Sequence, residues 1–134
     1  MPSTNCSGSM RYVLGIDIGG TNLLTGAVSE DGRTIHGLQK EATGASAGAD
    51  SVIDRIVVMA TETMARARQA DPAAEFRGVG IGSPGPLDRA SGVVILTPNL
   101  GWIDMPVRDR IGSQLGLPAA LDNDANCAMA GEWW

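Results

Sequence analysis

Apolar and polar residues recur along this chain in two periods, and the places where one gives way to the other mark out its elements. Tyr12, Val13, Leu14, Ile16 and Ile18 form a near-continuous apolar run that predicts a buried strand, and residues 23–28 form a second. Glu30-Asp31-Gly32 is a turn signal and 33–43 predicts a third strand, so the chain opens with an antiparallel meander. Residues 44–49 form a small-residue loop, after which Asp50 or Ser51 is expected to cap a helix. In that helix Val52, Ile53, Ile56, Val57, Ala60, Met64 and Ala67 recur at three- and four-residue spacing. Asp71-Pro72 ends it, and 76–81 predicts a short strand that a crossover helix lays in parallel beside the first. A Gly/Pro-rich loop at 82–86, an apolar run at 93–96, a helix at 106–115, a strand at 119–121 and a further helix from Asp124 complete the pattern. The sum is an α/β fold: a mixed sheet of three antiparallel strands followed by parallel βαβ strands, with flanking helices.

Composition refines this picture. A chain of 134 residues with 43% hydrophobic content makes one domain, and three Trp, one Tyr and one Phe leave an interior built from aliphatic side chains. The net charge of −5 disfavours a nucleic-acid partner. Residues 1–10 lack the basic and apolar regions of a signal peptide and are expected to be a disordered tail. No run approaches the length that spans a membrane, so a soluble, cytoplasmic protein is expected. Cys6 and Cys127 make neither a metal pair nor a disulfide framework, and His36, the single histidine, has no acidic or nucleophilic pattern around it and is expected at the surface. The helical pattern of 125–134 runs to Trp133 and Trp134 without a Gly or Pro stop, which leads us to expect one lobe of something larger.

Three segments carry candidate chemistry. In Gly15-Ile16-Asp17-Ile18-Gly19-Gly20-Thr21-Asn22 a strand bearing one carboxylate runs into a turn almost free of side chains. Gly19 and Gly20 there permit positive φ and a close approach of backbone N–H groups to an anion. A Gly-Gly hairpin turn is the plainer reading, and the two are compatible; Asp17 adds a carboxylate among apolar residues, where it needs a partner. In Leu121-Asp122-Asn123-Asp124-Ala125-Asn126 a strand ends in adjacent polar groups where a helix starts, the place at which ligands bind in open α/β sheets. One helix cap needs one such residue, whereas Asp122, Asn123, Asp124 and Asn126 supply four, which suits a polyol or sugar. Asp124, at the helix N-terminus, can accept the proton of a substrate hydroxyl. The third is Gly80-Ile81-Gly82-Ser83-Pro84-Gly85-Pro86-Leu87-Asp88 with Thr97-Pro98-Asn99-Leu100-Gly101-Trp102, where tight turns alone could account for Gly and Pro.

In this order the three segments resemble the sugar-kinase branch of the ROK family, within the actin-like, ribonuclease H-like ATPase superfamily, and are most similar to its glucokinases. The resemblance covers nearly the whole chain after the tail and implies that residues 11–134 are the N-terminal lobe of such a kinase, with the C-terminal lobe absent. It implies ATP and Mg²⁺ as cofactors, with Asp17, Gly19, Gly20, Thr21 and Asn22 facing the nucleotide and Asp17 holding the metal through water. Asp124 matches the catalytic base, Asn123 a residue that binds sugar hydroxyls, and Gly85 and Asn99 fall among sugar-contacting loop residues. Asn22 stands where many members have Lys. The family's adenosine pocket, Glu-x-Gly-His motif and Cys-rich structural Zn²⁺ site belong to a second half not present in these residues. The implied activity is phosphorylation of a hexose, glucose first, by a full-length homodimer, with the 134 residues alone inactive. A ROK transcriptional repressor and a non-sugar actin-like ATPase are the alternatives.

Overall fold

The computed structural model describes residues 10–123. Asp124, Asn126, Cys6, Cys127 and the helix expected over 125–134 lie outside the described residues.

A five-stranded mixed sheet, in the order β3-β2-β1-β4-β8, forms the centre of the fold. β1 (Arg11–Ile18), β2 (Asn22–Ser29) and β3 (Ile35–Ala42) are the antiparallel meander that the apolar runs predict. β4 (Glu75–Gly82) lies parallel to β1, and β8 (Ala119–Asp122) lies parallel to β4, as the crossover rule requires. Helix α1 (Ala49–Ala70) makes the crossover from β3 to β4 and covers one face of the sheet. Its Val52, Ile53, Ile56, Met59, Ala60 and Met64 pack on Leu14, Ile16, Ile18, Val79 and Ile81. Val57, counted in the apolar stripe, is only half-buried; Met59 and Thr63 complete the buried face.

Two expectations about this helix change. Neither Asp50 nor Ser51 caps it: the N-cap is Gly48, without a side-chain bond, and Asp50 lies inside the first turn, where its carboxylate accepts from Arg110 at 2.6 Å. The loop before it holds a single 3-10 turn, Ala45–Ala47.

Between β4 and helix α2 (Val107–Leu115) stands a small antiparallel sheet of β5 (Leu87–Asp88), β6 (Val93–Thr97) and β7 (Trp102–Met105), of which only β6 is legible as an apolar run. Trp102 is fully buried, and its indole N–H donates to the Ala49 carbonyl at 3.2 Å, tying this sheet to the start of α1. The tryptophan of the Pro98–Trp102 segment is therefore a core residue.

One buried polar network fixes α1 on the meander. The Thr63 hydroxyl donates to the Gly37 carbonyl at 2.9 Å and receives the Thr25 hydroxyl at 2.7 Å and Gln39 Nε2 at 2.9 Å, which uses its one donor and both lone pairs. Gly37, at φ 63, carries the extra residue of a β-bulge where β3 shifts register against β2, and a Cβ there would lie 2.8 Å from the Thr63 carbonyl. Thr63→Val keeps the shape and takes one hydrogen bond from each of three polar groups, so we expect a loss of about 3 kcal/mol, measured by urea unfolding of the full-length protein. A change under about 0.5 kcal/mol would mean that water or rearrangement replaces the network.

Candidate active site

Strand register brings the candidate residues into one row. Asp17 of β1 is aligned with Gly82 of β4, and Gly82 with Asp122 of β8. Aligned neighbours share a face of the sheet, and the preceding row, Ile16, Ile81 and Leu121, is core, so Asp17 and Asp122 project on the face away from α1. Two strand spacings separate them by roughly 10 Å, and Gly82 places no side chain between.

The turn after Asp17 is held by a hydrogen bond from Gly19 N–H to the Asn22 carbonyl at 2.9 Å. A Cβ on Gly19 would lie 2.8 Å from that carbonyl, so glycine is required here by close approach. Neither Gly19 nor Gly20 adopts positive φ, so the conformational reason expected for these glycines does not apply. Gly20, Thr21 and Asn22 are exposed, and among the described residues the N–H groups of Gly20 and Thr21 have no hydrogen-bond partner. They are free donors at a strand end, the disposition that suits a phosphate oxygen. Asp17 is half-buried, burial raises its pKa, and among the described residues no cation or hydrogen-bond donor reaches it. A desolvated carboxylate without a partner, beside free N–H groups, fits a hydrated Mg²⁺ on a phosphate.

The loops on the other side of this turn close a cleft of about 300 Å³ whose lining includes Gly20, Gly85, Thr97 and Asn99. A Cβ on Gly20 would stand 3.6 Å from Asn99 Nδ2, so the turn lies beside the Pro98–Leu100 segment. Gly85 has φ 85, and a Cβ on it would collide with the Leu96 carbonyl, so the fold itself demands glycine there. Thr97 is 4% exposed, and its Oγ1 has no hydrogen-bond partner among the described residues. Sequence reasoning did not single it out.

At the end of β8, Ser83 N–H donates to the Asp122 carbonyl at 3.0 Å and so joins the third segment to the second. The Asp122 carboxylate accepts from Arg89 Nη1 at 2.9 Å and from Asn123 N–H at 2.7 Å. Asn123 is exposed immediately beyond. The structure thus brings Gly20, Gly85 and Asn99 into one cleft and sets Asp17 and Asn123 at the ends of nearby strands. A further residue missed in the sequence, Thr43, binds two carbonyls of the Gly19–Asn22 turn: its hydroxyl donates to Gly19 O at 2.8 Å and its N–H to Thr21 O at 2.9 Å.

A β1-β2-β3 meander, a crossover helix and two further parallel strands, with a glycine turn after the first strand, define a lobe of the actin-like ATPase fold. The chain belongs to the ROK family, whose family model matches residues 13–134. It is 37% identical over 123 residues to a glucokinase of Thermotoga maritima, covering 91% of this chain and 36% of that one. Among solved structures it superposes with a TM-score of 0.69 on a ROK family glucokinase from Streptomyces griseus in complex with glucose and AMPPNP, at 34% identity over 87% of this chain and 34% of that one. A putative xylose repressor of a Caldicellulosiruptor species is 47% identical over 57 residues, 42% of this chain and 14% of that protein. The chain spans about a third of the length of the glucokinases it matches.

Proposed function

We propose that these residues are the N-terminal lobe of an ATP-dependent hexose kinase, with glucose as the first candidate substrate, acting in the cytoplasm as a homodimer when full-length. The observation that carries this reading is the apposition of Gly20 and Asn99 in one cleft, which sets a phosphate-type turn beside the Asn99 amide. Gly20 and Thr21 N–H donate to phosphate oxygens, and Asp17 holds the hydrated Mg²⁺, which when bound neutralises phosphate charge. Asn99 and Asn123 hydrogen-bond the sugar hydroxyls, with Asn22 at the nucleotide side and the backbone at Gly85 bounding the sugar. Asp124 takes the proton of the acceptor hydroxyl, which for glucose is the 6-hydroxyl. A carboxylate is base enough for this role, because phosphoryl transfer depends on positioning more than on proton abstraction.

Supporting the sugar is the 37% identity to a glucokinase. The repressor match favours a second reading, a sugar-sensing lobe without turnover, because its 57 residues reach 47% identity. A coupled assay of the full-length protein with Mg·ATP and a panel of hexoses separates the two. Phosphorylation of one or more hexoses is expected, and sugar binding without phosphorylation would favour the sensor. The 134 residues alone are expected to show no turnover, since the second wall of the nucleotide cleft lies in the other lobe.

A further inference from the structure

Thr43 follows β3 directly and is 1% exposed; its N–H continues the β2–β3 register opposite Thr21, whereas its hydroxyl serves no strand pairing. Its hydroxyl donates to Gly19 O at 2.8 Å and its N–H to Thr21 O at 2.9 Å, so one residue ties down two carbonyls of the turn. Gly19 C=O and Gly20 N–H belong to one planar trans peptide and point in opposite directions. Holding the carbonyl on the Thr43 side therefore aims the Gly20 N–H, a donor with no partner among the described residues, to the far side. Thr43 is itself braced. The next residue, Gly44, has φ 67 and lies under the Arg55 guanidinium of α1, where a Cβ would come within 3.1 Å of Nη2. Helix α1, Gly44, Thr43 and the turn form one chain of contacts, fixed before any ligand arrives.

We propose that Thr43 is a positioning residue for the phosphoryl donor: by holding the Gly19 carbonyl, its hydroxyl fixes the direction of the Gly20 N–H toward a donor phosphate. This rests on the reading of the turn as the donor's phosphate site. A threonine that only closes the end of β3 would affect stability, and nucleotide and sugar binding alike. A positioning threonine affects the nucleotide alone, and only through its hydroxyl.

The test uses the full-length protein with Thr43→Val, which keeps the shape, and Thr43→Ser, which keeps the hydroxyl. Calorimetric titration with Mg·ADP is expected to show about tenfold weaker binding in the valine variant, the usual worth of one well-formed hydrogen bond, with recovery in the serine variant. Hexose affinity is expected to be unchanged in both. In turnover, KM for ATP rises while KM for the sugar does not. Wild-type Mg·ADP affinity in Thr43→Val overturns the proposal, as does an equal loss of hexose affinity or a failure of serine to restore binding. A readout free of variants is the amide resonance of Gly20, expected among the largest shifts on adding Mg·ADP; an unmoved Gly20 amide overturns the proposal. If the wild type binds Mg·ADP but phosphorylates no hexose, the kinase reading fails, while the titrations still decide the role of Thr43.

Discussion

Alanine at Asp124 in the full-length protein is expected to lower kcat for hexose phosphorylation by about 10³-fold, the middle of the range for a positioned general base, while leaving KM for Mg·ATP unchanged. The expectation comes from where β8 delivers the chain. Register places Asp122 in the row of Asp17 and Gly82, two strands from the phosphate-type turn. The Asp122 carbonyl is held by Ser83 N–H, and its carboxylate by Arg89 and by Asn123 N–H. Asn123 thus stands just past a strand end held on both sides, and Asp124 is the next residue in sequence. A separation of roughly 10 Å between strand ends leaves room for a terminal phosphate and an acceptor hydroxyl between the two sites. Steady-state kinetics with Asp124→Ala and Asp124→Asn checks the role. Both variants should lose turnover, because an amide of the same shape cannot take the proton. Turnover within about threefold of wild type in either variant would remove Asp124 as the base. A rise in KM for the sugar at constant kcat would assign it to binding alone.

Much of this arrangement is legible before any coordinates, because the elements that carry it are long and periodic. The runs ending at Ile18 and starting at Leu23 fix β1 and β2, and the three- and four-residue spacing through Val52, Ile56, Ala60 and Met64 fixes α1. A single βα crossover then places β4 beside β1. β5 and β7 escape notice for a local reason: two residues cannot show a period, and Trp102-Ile103-Asp104-Met105 contains Asp104 at φ 49, a left-handed position that its apolar neighbours do not announce.

At the site, Asp17 stands out as the one carboxylate in an apolar strand, and the glycines of the turn stand out by composition. Their reason does not, since the conflict of a Gly19 Cβ with the Asn22 carbonyl exists only once the turn is closed. Thr43 is the harder case. Its hydroxyl partner lies 24 residues away in sequence, and a lone threonine after a strand carries no signal until β1, β2 and β3 pair. Thr63 could have been found, because it sits on the buried stripe with Ala60, Met64 and Ala67, where a polar residue calls for a partner.

The substitution Asp17→Asn is expected to act in opposite directions on stability and on function. Burial raises the Asp17 pKa in the folded protein, which means that the fold disfavours the ionised carboxylate. A carboxyl group whose folded pKa exceeds its unfolded value costs stability at pH values above both. That cost shrinks as pH falls through the folded value and is gone below the unfolded one. The amide side chain has nearly the same shape and does not ionise, so the variant should be more stable than wild type at pH 7 by about 1 kcal/mol, a size common for substitutions that relieve a functional group. The two should converge in acid. Thermal melts of both proteins between pH 3 and pH 8, without nucleotide or divalent metal, test this directly. If the variant is less stable than wild type at pH 7, Asp17 has a stabilising partner in the full-length protein and the desolvation argument falls. Activity should move the other way, with kcat/KM for Mg·ATP down about 100-fold, the scale of losing a carboxylate that orients a hydrated metal. If Asp17 meets a cation that arrives with the nucleotide, as proposed, the stabilising effect of Mg·ADP should be large in wild type and small in the variant.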